Sequence, residues 1–331
     1  MDHEFVLNCP NFDSLGYIKA GAILNDKHDR SAPSDYHWKI LKCRMIIFSN
    51  SSILASPDKY DLKKIHIIFN KIGDDYDQLN ILFNKFSLIQ EGSISLVTPE
   101  SFQICFQYTL SARLAPLWNT LGNEYFINNR DFLVAKGPQA GIRYHILVKD
   151  NTIVIKLKPV KINLIRSDDD FLPGEWIRVL PSLNKAIVEE CLDELPNTGL
   201  FKSYKDIRRH WKNIHGYRLP EEDCSSYCLV RFWRGDPLSY PKLCVTRNFP
   251  LVTPMQKPDE KAVILRFYNA LRNKIPHFLG VPLTLIFSGF SETVINEKMS
   301  ETQALSLCTP TQANQQIINT LLKETTERIV L

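Results

Sequence analysis

Gly141–Arg166 reads GIRYHILVKDNTIVIKLKPVKINLIR, and this stretch decides the fold. Val, Ile and Thr dominate both sides of the turn sequence Lys149, Asp150, Asn151. Branched side chains of this kind pack best on a pleated surface. The spacing predicts a hairpin of Ile142–Val148 and Thr152–Leu157, with Val160–Ile165 after Pro159 as a third strand or an extension. The same stretch carries Arg143, Lys149, Lys156, Lys158, Lys161 and Arg166 against the single Asp150, a net +5.

Upstream, Phe5-Val-Leu and Gly21-Ala-Ile-Leu are apolar runs parted by the turn-forming Pro10-Asn-Phe-Asp-Ser, which predicts two short strands. Asn25–Asp35 is a polar loop, and the segment from Trp38 to Phe48 fits helix and strand equally. Ile65–Phe69 suits a buried strand. Leu79, Leu82, Phe83 and Phe86 recur at helical spacing within Tyr76–Leu88. Thr98 reads as the N-cap of a second helix with Pro99 at its first position and Pro116 near its end.

Downstream, helices are expected over Leu183–Leu195, Ser203–His215 and Asp259–Lys274, with strands at Tyr227–Trp233, Leu243–Arg247 and Val281–Phe287. Ser203 with Asp206 resembles a capping box and Gly216 supplies the stop, so Ser203–His215 is the best-specified helix. From Ser288 the composition turns to Ser, Thr, Gln and Asn, a polar linker before a short helix over Gln312–Ile329.

The fold class that follows is α+β: a mixed or antiparallel sheet with packed helices, one large unit or two tightly associated lobes, plus a short C-terminal tail. The expected boundaries are an N-terminal lobe 1–140, a hairpin and helical lobe 141–287, and a tail 288–331. At 331 residues, 44% hydrophobic and 23% charged, the chain has ample material for a core and none of the composition of disorder. The net charge of +4 is too small to indicate a partner by itself.

The N-terminus carries acidic residues early and reads as no export signal. The apolar stretch Ile275–Phe290 is broken by Pro276 and Pro282 and falls short of the ~20 residues that span a bilayer. Eight scattered cysteines beside apolar residues read as reduced thiols. The expectation is an intracellular chain, nuclear or cytoplasmic, with no membrane partner.

Two blocks carry a family likeness: Ser111-Ala-Arg-Leu-Ala-Pro-Leu-Trp-Asn119 with Arg130-Asp-Phe-Leu133, and Phe201-Lys-Ser-Tyr-Lys-Asp-Ile-Arg-Arg-His-Trp211 with Gly216-Tyr-Arg-Leu-Pro-Glu221. They resemble an uncharacterised domain-of-unknown-function family typified by a vertebrate chromosome 18 open-reading-frame protein, over about Phe5 to Phe287. The resemblance implies a long basic tail and a nuclear home for vertebrate members. It brings no catalytic residue and no cofactor.

His210, His215, Cys224 and Cys228 are zinc-ligand types at His-x4-His-x8-Cys-x3-Cys. Residues five apart on a helix diverge, so the expectation is packed or surface histidines and buried thiols, with no metal. Asp58, Asp61 and Lys63 echo a metal-dependent nuclease set at the wrong spacing, and Asp168, Asp169 and Asp170 read as a solvated loop. Phosphate-loop, dinucleotide and nucleophile-elbow patterns are absent, so no cofactor and no catalytic residue are expected.

Charge placement gives the one physical direction. At 100° per residue Lys205, Arg208, Arg209 and Lys212 share a helix face opposite Tyr204, Ile207, Trp211 and Ile214. Joined with Lys156, Lys158 and Lys161 of the hairpin, they form a candidate nucleic-acid footprint. Ile317 and Leu321 form an apolar stripe that could dock into a partner. The expected function is a non-catalytic protein-binding or scaffold module, with nucleic-acid binding as the alternative and an enzyme of unrecognised class third.

Overall fold

The computed structural model describes residues 3–22, 35–149, 152–166, 169–195, 201–222, 226–233 and 236–288. It is an α+β fold in which the sheets are antiparallel, and Met1–Asn296 is one compact unit. The helices are α1 (Asp35–Ser49), α2 (Asp75–Phe86), α3 (Pro99–Leu114), α4 (Tyr204–His215) and α5 (Lys257–Lys274). Among the described residues no helix is long and apolar enough to cross a membrane. Expectations for Ile317, Leu321 and the tail fall outside the described residues.

The hairpin forms from Gln139–Lys149 and Thr152–Asn163, paired from Gln139 opposite Ile162 to Lys149 opposite Thr152. Of the two readings for the segment after Pro159, extension is the one observed. The second strand runs straight through the proline, because its outer edge pairs with His3–Asn8 over Thr152–Leu157 and with Leu251–Pro254 over Val160–Asn163. Pro159 falls in the gap between those partners, where a missing amide hydrogen leaves no ladder bond unmade on that edge.

That strand serves two cores. Ile153, Ile155 and Leu157 point into a cluster with Phe102, Phe106 and Leu110 of α3 and Phe267 of α5. Val160 and Ile162 point to the other face and join a cluster around Trp211 of α4. Strict alternation along a strand forces this division: a shift from odd to even buried positions changes the face that is covered. The sheet is completed by Leu285–Ser288, Tyr125–Ile127 and Asn119–Leu121.

A five-stranded sheet runs in the order Leu238–Pro241, Tyr227–Arg231, Asn184–Leu192, Trp176–Val179, Val245–Thr246. Here one expectation is corrected: the helix over Leu183–Leu195 is a strand, Asn184–Leu192. Its Ala, Glu and Leu content favours helix locally. Pairing on both sides, with Ala186 and Val188 buried in alternation, outweighs that preference. A four-stranded sheet of Leu54–Pro57, Lys64–Asn70, Leu15–Ala22 and Leu88–Ser95 packs against α1 and α2.

The helix starts follow their local chemistry. Thr98 caps α3 in a reciprocal box with Ser101, and Pro99 takes the first position, where no intrahelical amide bond is lost. The Trp38–Phe48 segment is helical within α1. It shows no amphipathic period because nearly every side from His37 to Ile47 is buried.

Candidate functional site

Helix α4 has three faces with different chemistry, and each is set by residues whose positions the ends of the helix fix. At the start, the Ser203 hydroxyl oxygen accepts the Asp206 amide hydrogen at 3.3 Å and its O–H donates to the Asp206 carboxylate at 2.9 Å. At the end, Gly216 is left-handed with φ +74° and its amide donates to the Lys212 carbonyl. A Cβ there would stand 2.6 Å from Ala115 Cβ and 3.2 Å from Arg44 Nη2. Glycine is therefore required both for the turn and for the close approach of α4 to its neighbours.

The inward face carries Ile207, Trp211 and Ile214, all buried. Trp211 meets Tyr240 edge-on at 5.4 Å and Tyr217 at 6.0 Å, and the Tyr217 hydroxyl donates to the Thr120 carbonyl. Tyr204, half-buried at the rim, donates its hydroxyl to the Pro220 carbonyl.

The outward face is cationic. Lys202, Lys205, Arg209 and Lys212 are exposed, and among the described residues none makes an ion pair. Arg208 is half-buried and lies 3.9 Å from the Glu221 carboxylate, which Arg218 holds more closely at 3.0 Å.

The hairpin cations are placed differently. Lys156 pairs with Glu4 at 3.1 Å, and Lys161 reaches Asp259 at 3.7 Å. Lys158 lies opposite Arg143, whose charge is met by Glu124 at 2.8 Å. Lys156 and Lys158 share one face of the sheet, while Lys161 is of opposite parity and faces α5. The three hairpin lysines are thus not a single row.

The third face of α4 meets α1. His210 and His215 converge with His37 of α1, and one ring nitrogen from each lies within 4.8 Å of the other two. The ring centroids are 5.0 Å apart for His37 and His210, 6.4 Å for His37 and His215, and 6.1 Å for His210 and His215. The expected divergence of positions five apart on α4 is corrected here: the His210 and His215 rings approach each other at the end of the helix, and His37 of α1 joins them. Burial pushes His37 down to about 4 and His210 down to about 3. It pushes His215 well down too, aided by His210, His37 and Arg44. All three are neutral imidazoles at neutral pH.

Beside them Arg44 is buried, with its Nε and Nη2 lacking a hydrogen-bond partner among the described residues and its side chain hydrogen-bonded to Tyr108. Trp211 packs on His215 at 4.6 Å and Phe201 on His210 at 5.0 Å. Sequence reasoning missed His37. The available signal was a run of polar residues, His37, Lys39, Lys42 and Arg44, inside an otherwise apolar segment.

The cysteines considered with these histidines go elsewhere. Cys228 is buried in the second core with its sulfur 3.8 Å from that of Cys191, and Cys224 lies outside the described residues. Asp58 accepts the amides of Tyr60 and Asp61 and the Nε2–H of His66 at 2.9 Å, while Tyr17 donates to His66 Nδ1 at 2.5 Å. This Asp–His–Tyr relay has the order of a catalytic triad. Burial pushes the Tyr17 hydroxyl up to about 12, away from the ionised form a nucleophile needs.

The family described as "Domain of unknown function (DUF4708)" matches residues 2–170 and 165–254. Among solved structures, Argonaute of Marinitoga piezophila in complex with guide RNA and target DNA aligns with 7% identity over 81% of this chain and 37% of its own, at a TM-score of 0.36. Drosophila Piwi aligns with 9% identity over 86% of this chain and 42% of its own, at 0.37. The chain spans less than half of either protein, and a likeness this distant carries no functional weight.

Proposed function

The chain belongs to the family of the domain of unknown function DUF4708, and from that premise we propose that it is a non-catalytic binding module that holds single-stranded nucleic acid on the outward face of α4. The observation that carries this reading is the set of exposed cations Lys202, Lys205, Arg209 and Lys212, none of which has a carboxylate partner among the described residues. Unpaired cations attract a phosphate backbone and release its counterions, whereas paired ones have already spent that attraction within the protein. The helix is also anchored against a rigid core by Trp211, so the charges are displayed without a large ordering cost.

The test is retention on single-stranded RNA or DNA as salt is raised. Four phosphate contacts predict a log–log slope of about −3. Changing Lys202, Lys205, Arg209 and Lys212 together to Glu removes retention while leaving the thermal melt in place. Retention that is absent, or independent of salt, sinks the reading.

A protein partner is the second reading, and one observation favours it. Leu88–Ser95 is an edge strand of its sheet, and Ile89, Ile94 and the following Leu96 are 54%, 41% and 72% exposed. An uncovered edge with apolar side chains is a template for strand addition by a partner, the scaffold role in physical form. Hydrogen-exchange protection confined to this strand on adding a cell extract fraction, with α4 unprotected, would favour it over the first reading.

A further inference from the structure

We propose that His37, His210 and His215 bind one divalent transition-metal ion of the zinc class, with a small anion such as hydroxide or chloride as the fourth ligand. The convergence is between two helices that are far apart in the chain, α1 and α4, with one ligand atom from each histidine within 4.8 Å of the others. Bound to one zinc at about 2.0–2.1 Å, such nitrogens would stand ~3.4 Å apart, so closure asks for small side-chain rotations and no backbone rearrangement. An all-imidazole set selects zinc, copper, nickel or iron over magnesium and calcium, which take oxygen ligands.

An imidazole binds a metal through a ring nitrogen, and each of the three rings turns one such nitrogen toward the other two. The charge balance determines the fourth ligand. No carboxylate joins the group among the described residues, and the buried Arg44 guanidinium lies close enough to depress His215. A bare dication beside a buried guanidinium is unfavourable, and an anion on the metal offsets both charges. Three protein ligands with one exogenous position is the arrangement of an open zinc site. Such a metal would tie α4 to α1 and so hold the cationic face in place. The inference stands apart from the nucleic-acid reading, because its ligands lie on a different face.

The experiment uses the full chain, stripped with chelator and then titrated with Zn2+ and separately with Co2+. Expected are one zinc per chain by elemental analysis, a higher melting temperature, and the strong visible absorption of four-coordinate cobalt. His37→Ala and His210→Ala each weaken zinc binding at least about 100-fold. His37→Gln and His210→Gln, which stay close to the imidazole in volume, do the same while the metal-free far-UV spectrum stays native, which keeps the test valid should an alanine variant not fold. Cys191→Ser and the four-cation α4 variant keep full zinc binding. The proposal is overturned if the folded chain binds no stoichiometric zinc, if binding survives the histidine variants, if it is lost with Cys191→Ser, or if chloride or phosphate alone gives the whole stabilisation.

Discussion

The outward face of α4 and the long hairpin look alike in the sequence and differ in the fold. Each is dense in Lys and Arg. On the hairpin, Lys156, Lys161 and Arg143 are met by Glu4, Asp259 and Glu124, acids that lie 152, 98 and 19 positions away in the chain. On α4, Lys205, Arg209 and Lys212 meet no acid among the described residues. A count of charges along a segment therefore measures its field only after the remote carboxylates have been placed. The α1 side of α4 adds a second contrast, since His210 and His215, which helix spacing sets apart, lie close together and are joined by His37 from a distant part of the chain.

The largest effect expected is acid sensitivity of the metal-free protein, and it tests the buried histidine face of α4. His37, His210 and His215 have folded values well below the ordinary 6.5, so the unfolded chain binds more protons as pH falls. Their contribution is present above about pH 6.5 and is lost progressively from there toward pH 4 and below. Each histidine removes up to about 1.4 kcal/mol per pH unit in that window. Urea melts at pH 7, 6 and 5 measure it, and replacing His37 with Gln flattens the profile. A profile unchanged by that substitution would show that the imidazoles titrate normally.

Next is Trp211→Ala, which removes the anchor of α4 and should cost about 3–5 kcal/mol. Chemical denaturation reads the loss. If the helix face is held by this side chain, polyanion retention falls at temperatures where the remainder of the protein is still folded. Equal loss of the hairpin and α4 signals in hydrogen exchange would instead mean that the two regions open as one unit.

The smallest effect is expected at the hairpin. Lys156→Gln with Lys161→Gln breaks two half-exposed ion pairs, worth at most ~1 kcal/mol each. Binding to single-stranded nucleic acid should change by less than about threefold, because these cations are already neutralised locally. A loss as large as that of the α4 variant would erase the contrast between the two faces and enlarge the interface.

Much of the architecture is legible in the order of residues. Thr98-Pro99, Ser203 with Asp206, and Gly216 each state a helix boundary through a local hydrogen bond or a permitted backbone angle, and all three stand where the residues put them. The hairpin register, with Lys149 opposite Thr152, likewise agrees with the place where the sequence breaks between its two branched runs. Asn184–Leu192 reads as helix because Ala, Glu and Leu favour helix in isolation, while the strand owes its form to neighbours on both sides. For α1, burial on nearly all sides removes the periodicity that distinguishes helix from strand.

Of the candidate site, the α4 face and its four cations can be drawn on a helical wheel. That Arg208 lies beside Glu221 while Lys205, Arg209 and Lys212 meet no acid among the described residues cannot, nor can the partition of Lys158 and Lys161 between opposite faces across Pro159. His37 is invisible in the sequence as a partner of His210 because 173 positions of chain separate them.

By itself the amino-acid order determined what is local: where helices begin and stop, where the hairpin turns, and which residues share a helix face. These depend on backbone angles and on hydrogen bonds spanning a few residues. Only the tertiary structure decided which charges are cancelled and which imidazoles converge, because electrostatics and metal geometry depend on distance through space. The packing of α1 on α4, and of one strand between two cores, fixes those distances.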